Sequence, residues 1–204
     1  MKNLIYGLIG LFALGGTAAA GVFLSDEIQD AEYKIGETIE NFSLKNLNGE
    51  EVAFSESTGS LGTILIFTCN TCPYAKLYEE RILQLHDVYN DVGYTVILIN
   101  PSNPDLKPGD HPSELMKWVS QSGYSGLYLI DSIGLFRRFG ARKTPEVFLM
   151  DKSNVLKYRG AIDNSAQGAE SVTDKYLENA IRALQDGVDP EPVKTRPVGC
   201  VIKH

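Results

Sequence analysis

Apolar and polar positions follow two rhythms along this chain, and the changes of rhythm divide it into elements. Phe42-Ser43-Leu44 and Val52-Ala53-Phe54 alternate with period two, as half-buried strands do, and Asn46-Leu47-Asn48-Gly49 lies between them. An Asn-Gly pair tolerates the positive backbone angles of a tight turn, so this segment predicts an N-terminal β-hairpin. Thr63 to Thr68 and Tyr94 to Asn100 are continuous apolar runs instead, which fit strands buried on both faces. Between them Leu77, Tyr78, Ile82, Leu85 and Val88/Tyr89 recur at helical spacing, predicting a helix that opens at Pro73.

The second half continues the alternation. Pro101 to Pro112 reads as a Pro-rich loop, and Ser113 as the cap of a helix to about Ser122. Leu127 to Ile130 predicts a short strand, and Ser132 to Phe139 a short helix ended by Gly140. Glu146 to Met150 and Val155 to Tyr158 predict a strand pair across Asp151-Lys152-Ser153-Asn154. Val172 to Gln185 predicts a last amphipathic helix closed by Gly187. Strands alternating with helices, then a closing strand pair and a helix, predict an α/β domain with a central mixed sheet flanked by helices.

The first two dozen residues have a different character. Lys2 precedes an apolar stretch from Leu4 to Leu14, and Ala18-Ala19-Ala20 supplies small residues for cleavage. This predicts a secretory signal peptide over 1–20, or an uncleaved membrane anchor to about residue 24. Residues 21–35 then read as a linker, 36–187 as the domain and 188–204 as a tail carrying Cys200. Export is expected, to the periplasm or the cell exterior. A net charge of −7 gives no basic face for phosphates, which argues against a nucleic-acid partner.

The chemistry concentrates at Phe67-Thr68-Cys69-Asn70-Thr71-Cys72-Pro73. A C-x-x-C pair between a strand and a helix stands where free N–H groups and the helix dipole favour a thiolate, the nucleophilic form of cysteine. A zinc site usually needs a second such pair, and the chain has only one further cysteine, Cys200. Cys69, at the helix start, is expected to attack, and Cys72, further into the helix, to resolve the mixed disulfide. Cys200 could close a further disulfide, resolve an oxidised Cys69 or Cys72, or stand as a tail thiol, and packing as a small apolar residue fits as well as any redox role. The apolar Val201 and Ile202 beside it predict that the tail docks back on the domain.

Three separated segments carry a family resemblance. They are Cys69-Asn70-Thr71-Cys72-Pro73-Tyr74-Ala75-Lys76; Thr144-Pro145-Glu146-Val147-Phe148-Leu149-Met150-Asp151 with Tyr158-Arg159-Gly160; and Gly199-Cys200-Val201-Ile202-Lys203. On these the chain from about residue 36 resembles the thioredoxin-like superfamily, and within it the redoxin/alkyl-hydroperoxide-reductase-like (thiol-specific antioxidant) branch. The resemblance implies a thioredoxin-like fold and a thiol–disulfide oxidoreductase acting on protein thiols and disulfides, without a cofactor and with a reducing partner. It also implies a cis-proline at Thr144-Pro145, lying against the cysteine pair, where the preceding residue can pair with a bound peptide.

Two alternatives belong with this reading. A thiol-dependent peroxide reductase follows from the same branch, whose motif is P-x-x-x-T-x-x-C. Counted back from Cys72, this chain has Leu65 and Cys69 in place of the Pro and Thr, and Arg142 is the arginine near Thr144. A copper-binding assembly factor of thioredoxin-like type would use the two cysteines with a distal histidine such as His111 or His204. No metal site is expected otherwise. His86 and His111 read as surface residues, and Glu79-Glu80-Arg81 as a solvated helix face with a local ion pair. The strand before Cys69 lacks a carboxylate, so protons would reach Cys72 through water, Lys76 or a glutamate.

Overall fold

The computed structural model describes residues 31–203. The signal-peptide or anchor segment, residues 21–30 of the expected linker 21–35 and His204 lie outside the described residues. Within the rest of that linker Tyr33 is buried, its N–H donating to the Arg138 carbonyl at 2.7 Å. In chain order the elements are β1 (Ser43–Asn46), β2 (Glu51–Ala53), β3 (Gly62–Phe67), α1 (Pro73–Asn90), β4 (Tyr94–Asn100), α2 (Pro112–Ser122) and β5 (Leu127–Ile130). They continue as α3 (Leu135–Phe139), β6 (Lys143–Thr144), β7 (Glu146–Asp151), β8 (Leu156–Gly160), α4 (Tyr176–Gln185) and β9 (Cys200–Val201).

Seven strands form one mixed sheet in the order β2-β1-β5-β4-β3-β7-β8. The three at its centre, β5, β4 and β3, run parallel, while β7 and β8 on one side and β1 and β2 on the other are antiparallel additions. The apolar runs are explained by burial on both faces. Ile64, Ile66, Val96, Leu98, Val147 and Leu149 point into one core, against α1, α2 and α4. Leu65, Phe67, Ile97, Ile99, Phe148 and Met150 point into the other, against α3 and the segment from Tyr33 to Phe54.

The second core is built around Phe139, which is fully buried. Its ring meets Tyr33, Phe67 and Phe148 edge-on, with centroids 5.3, 5.7 and 5.1 Å away. Such edge-to-face pairs add to the roughly 1.5–3 kcal/mol that burying a phenylalanine contributes. Among the described residues no helix is long and apolar enough to cross a membrane.

Several local expectations need correction. The cap of α2 is His111, whose Nδ1 accepts from the Ser113 N–H, so Pro112 and not Ser113 opens the helix. The short helix begins only at Leu135, because the Asp131 carboxylate takes the N–H groups of Leu135 and Phe136 at 2.7 and 2.8 Å. The last helix begins at Tyr176, since Asn164 accepts from the N–H groups of Thr173 and Asp174 and holds them in a loop. His86 is buried, its ring 4.7 Å from that of Tyr124. Arg81 is buried too. It pairs with Asp163 at 2.6 Å, donates to the Ser165 carbonyl and lies 3.7 Å over the Tyr78 ring, so it belongs to the interior.

Candidate active site

β3 ends at Phe67 in the middle of the sheet, and the chain turns through residues 68–71 before α1 begins. Pro73 at the first helical position leaves Cys72 as the N-cap, and the Cys72 Sγ accepts from the Ala75 N–H at 3.4 Å. The turn is held from outside by Asp110, almost fully buried, whose two oxygens accept from the Thr71 N–H and Oγ1–H at 2.9 and 2.7 Å. Asn70 Nδ2 also donates to the Glu114 carbonyl at 3.4 Å.

The opposite wall is the bend before β7. The Thr144–Pro145 peptide bond is cis. Thr144 faces both sulfurs: its Oγ1 lies 3.3 Å from Cys69 Sγ, and its carbonyl oxygen 3.1 Å from Cys72 Sγ. This bend is itself pinned by Glu146, whose carboxylate accepts from the N–H groups of Arg142 and Lys143 at 2.8 and 3.2 Å. Arg159, 3.6 Å from Glu146 and donating to the Gly140 carbonyl at 2.6 Å, anchors the carboxylate in turn.

A third wall comes from the end of the chain. β9 pairs antiparallel with β6, setting Cys200 opposite Thr144 and Val201 opposite Lys143. Cys200 thereby packs against the Cys69–Cys72–Ala75 cluster, less buried than either partner cysteine. The structure brings together all five sequence-expected residues: Cys69, Cys72, Thr144, Pro145 and Cys200. Asp110 and Glu146 are additions. Nothing in a Pro-Gly-Asp loop or at a strand start distinguishes a carboxylate that holds site backbone from a solvated one.

The three thiols share one charge. The Cys69 thiol's hydrogen bond to Cys72, with those from Cys200, the Ala75 N–H and Thr144, outweighs burial and holds Cys72 well below the ordinary thiol range. Cys69 is pushed far up, by donating to Cys72 and by burial. Cys200 is pushed up by burial and by the same kind of bond. The Thr144 carbonyl acts the other way: it accepts from Cys72 when that residue is a thiol and repels the thiolate. One carbonyl faces several donors, so the charge settles on Cys72.

Behind Cys69 a cavity of about 10 Å³, barely one water, is lined by Thr68, Cys69, Asn70, Glu79, Trp118 and Tyr128. Glu79 is the glutamate in that lining. Arg142 does not face the sulfurs: its guanidinium donates to Glu32 at 2.7 Å and its side chain is 76% exposed. Among the described residues no group of three or more His, Cys, Asp or Glu is arranged to hold a metal ion.

The AhpC/TSA family model matches residues 35–159. The fold is shared by an uncharacterised conserved protein from Geobacillus kaustophilus, 26% identical with a TM-score of 0.78 over 84% of this chain and 92% of that one. A hypothetical protein from Sinorhizobium meliloti 1021, also 26% identical, superposes with a TM-score of 0.77 over 84% and 95%. Peroxidoxin BcpB from Mycobacterium tuberculosis shares the fold at 16% identity, with a TM-score of 0.56 over 75% and 97%. No curated protein matches the chain.

Proposed function

From the premise that the chain belongs to the AhpC/TSA family, we propose that it is an exported thiol–disulfide oxidoreductase, exchanging the Cys69–Cys72 pair with protein thiols and disulfides. The observation that carries this reading is the pair itself, buried at the N-terminus of α1 with both sulfurs on Thr144. Cys69 is the more accessible of the two, 7% against 2% exposed. As Cys69 attacks a client disulfide, its proton passes to the Cys72 thiolate along their hydrogen bond. One client sulfur leaves as a thiol or thiolate, and a mixed disulfide forms. Cys72 then attacks Cys69 Sγ, gives its proton to the second client sulfur and closes the Cys69–Cys72 disulfide. The client gains two electrons and the enzyme loses two, which a separate dithiol partner restores.

Export rests on the character of residues 1–24. The decisive assay is turnover of insulin disulfides. Cys69→Ser should abolish it, and Cys72→Ser should accumulate mixed disulfides on non-reducing gels. Full activity in Cys69→Ser would end the assignment.

Peroxide reduction is the second reading, favoured by the family. Against it stand Cys69 in place of the motif's threonine and Arg142 engaged with Glu32. Stopped-flow oxidation by hydrogen peroxide separates the two, since a rate no faster than that of a free thiol leaves only disulfide exchange.

A further inference from the structure

The tail does not merely reach the site; it is built against it. Beyond the β6–β9 pairing, the Ile202 N–H donates to the Arg142 carbonyl at 3.0 Å, and Lys143 Nζ to the Gly199 carbonyl at 3.3 Å. Upstream, Thr195 fixes the tail to β8: its N–H donates to the Arg159 carbonyl at 3.1 Å, and its Oγ1 accepts from the Ala161 N–H at 2.9 Å. Gly199 is the tightest point. A Cβ there would run into the Thr144 carbonyl, with the Thr144 carbonyl carbon only 2.7 Å away, so a side chain at 199 must lift the strand off the bend. These contacts hold Cys200 against the Cys69–Cys72–Ala75 cluster, where its thiol hydrogen-bonds to Cys72, the cysteine that also bonds to Cys69.

We propose that Cys72 alternates between two internal disulfides, one with Cys69 and one with Cys200, so that Cys200 carries the oxidised state from the buried pair to the surface. The proposal rests on the thiol–disulfide reading above. After a client has been reduced, Cys200 attacks Cys72 Sγ of the Cys69–Cys72 disulfide. The 72–200 bond forms as the 69–72 bond breaks, and the Cys200 proton goes to the departing Cys69 sulfur. No electron enters or leaves in that step. A dithiol reductant then attacks the half-exposed Cys200 Sγ, and Cys72 departs as a thiolate. The reductant's second thiol closes its own disulfide and releases Cys200. Cys72 suits this departure, because a sulfur whose thiolate is well solvated by donors leaves faster. Cys200 offers the reductant a more exposed sulfur than either Cys69 or Cys72.

The peptide map makes the test direct. No Lys or Arg lies between Cys69 and Cys72, so a 69–72 disulfide stays within one tryptic peptide, whereas a 72–200 disulfide joins two. The full chain carrying Cys69→Ser is oxidised with one equivalent of diamide, and free thiols and linked peptides are measured. Loss of both remaining thiols, with the Cys72 and Cys200 peptides joined, is the expected result. Adding Gly199→Val should cut that linkage at least tenfold. Two thiols left free, linkage only between molecules, or equal linkage with Gly199→Val would each overturn the proposal. Kinetics separate this failure from failure of the underlying reading. Cys200→Ala should keep the single-turnover reduction of insulin while slowing multiple turnover with a dithiol reductant at least fivefold. Unchanged multiple turnover in Cys200→Ala would refute the relay and leave the Cys69–Cys72 assignment standing. Loss of the single turnover in that variant as complete as in Cys69→Ser would refute both.

Discussion

Removing the thiol that donates to Cys72 should move its ionisation in a calculable direction. In Cys69→Ala the largest stabilising contact of the thiolate disappears, while the Ala75 N–H, Cys200 and Thr144 donors remain. A hydrogen bond to a charged group is worth about 1.5–3 kcal/mol, and a thiol is a weak donor, so the lower end applies. At 1.36 kcal/mol per pKa unit, the Cys72 pKa should rise by about 1. The assay is thiolate absorbance at 240 nm against pH, in reduced protein, with Cys72→Ala marking which signal belongs to Cys72. A midpoint that stays or falls in Cys69→Ala would refute the reasoning that the pair shares one charge. The same charge shapes stability. The lowered Cys72 pKa gives the reduced fold a contribution that is complete above the ordinary thiol value of about 8.5 and is lost as pH falls towards the folded value. The raised Cys69 pKa gives one that is complete below about 8.5 and is lost as pH rises. The thiol-dependent stability of the reduced protein should therefore peak near pH 8.5, read as urea midpoints of wild type against a Cys69→Ala/Cys72→Ala double variant.

Further outcomes concern the supports of the site. Asp110→Ala leaves two donors of Thr71 unpaired and should cost about 1–3 kcal/mol in urea denaturation while lowering insulin turnover; an unchanged turnover would show that the turn needs no such brace. Arg81→Met strands the buried Asp163 carboxylate and should cost about 3–5 kcal/mol, and a loss below about 1 kcal/mol would mean that water reaches the pair. Phe139→Ala opens a cavity among four aromatic neighbours, Tyr33, Phe42, Phe67 and Phe148, and should cost about 3–5 kcal/mol without altering the Cys72 titration, since the sulfurs lie in a separate cluster.

The sheet was legible because its central strands are buried on both faces: Ile64-Leu65-Ile66-Phe67 has no polar position to confuse with a helix stripe. The C-x-x-C at the helix start was equally legible, since Pro73 and the strand before it define the turn. What escaped is what tertiary contact alone decides. Arg81 stands between Glu80 and Ile82 on α1 as any surface charge would, and only the return of Asp163 from beyond β8 makes it interior. His86 is drawn inward by Tyr124 and by Ser125, whose hydroxyl lies 3.0 Å from Nε2. The docking of the tail was expected from Val201 and Ile202, but its pairing as β9, two residues long, has no period to detect; it exists because Gly199 permits a close approach to Thr144.

The pairing of β9 with β6 has a consequence for how the protein acquires its reactivity. The environment of the thiols draws on the turn after β3, the loop at Asp110, the bend at Thr144 and the end of the chain, so no fragment contains it. A chain that ends before Thr144 and Cys200 lacks the donors these residues give the Cys72 thiolate and keeps only the local ones from Cys69 and the Ala75 N–H. Their chemical personality appears only when the most distant contacts in the chain have closed, which are the slowest kind to form. Thiol reactivity in this protein is therefore a gauge of completeness, reading whether the polypeptide has closed from the turn after β3 to its last few residues.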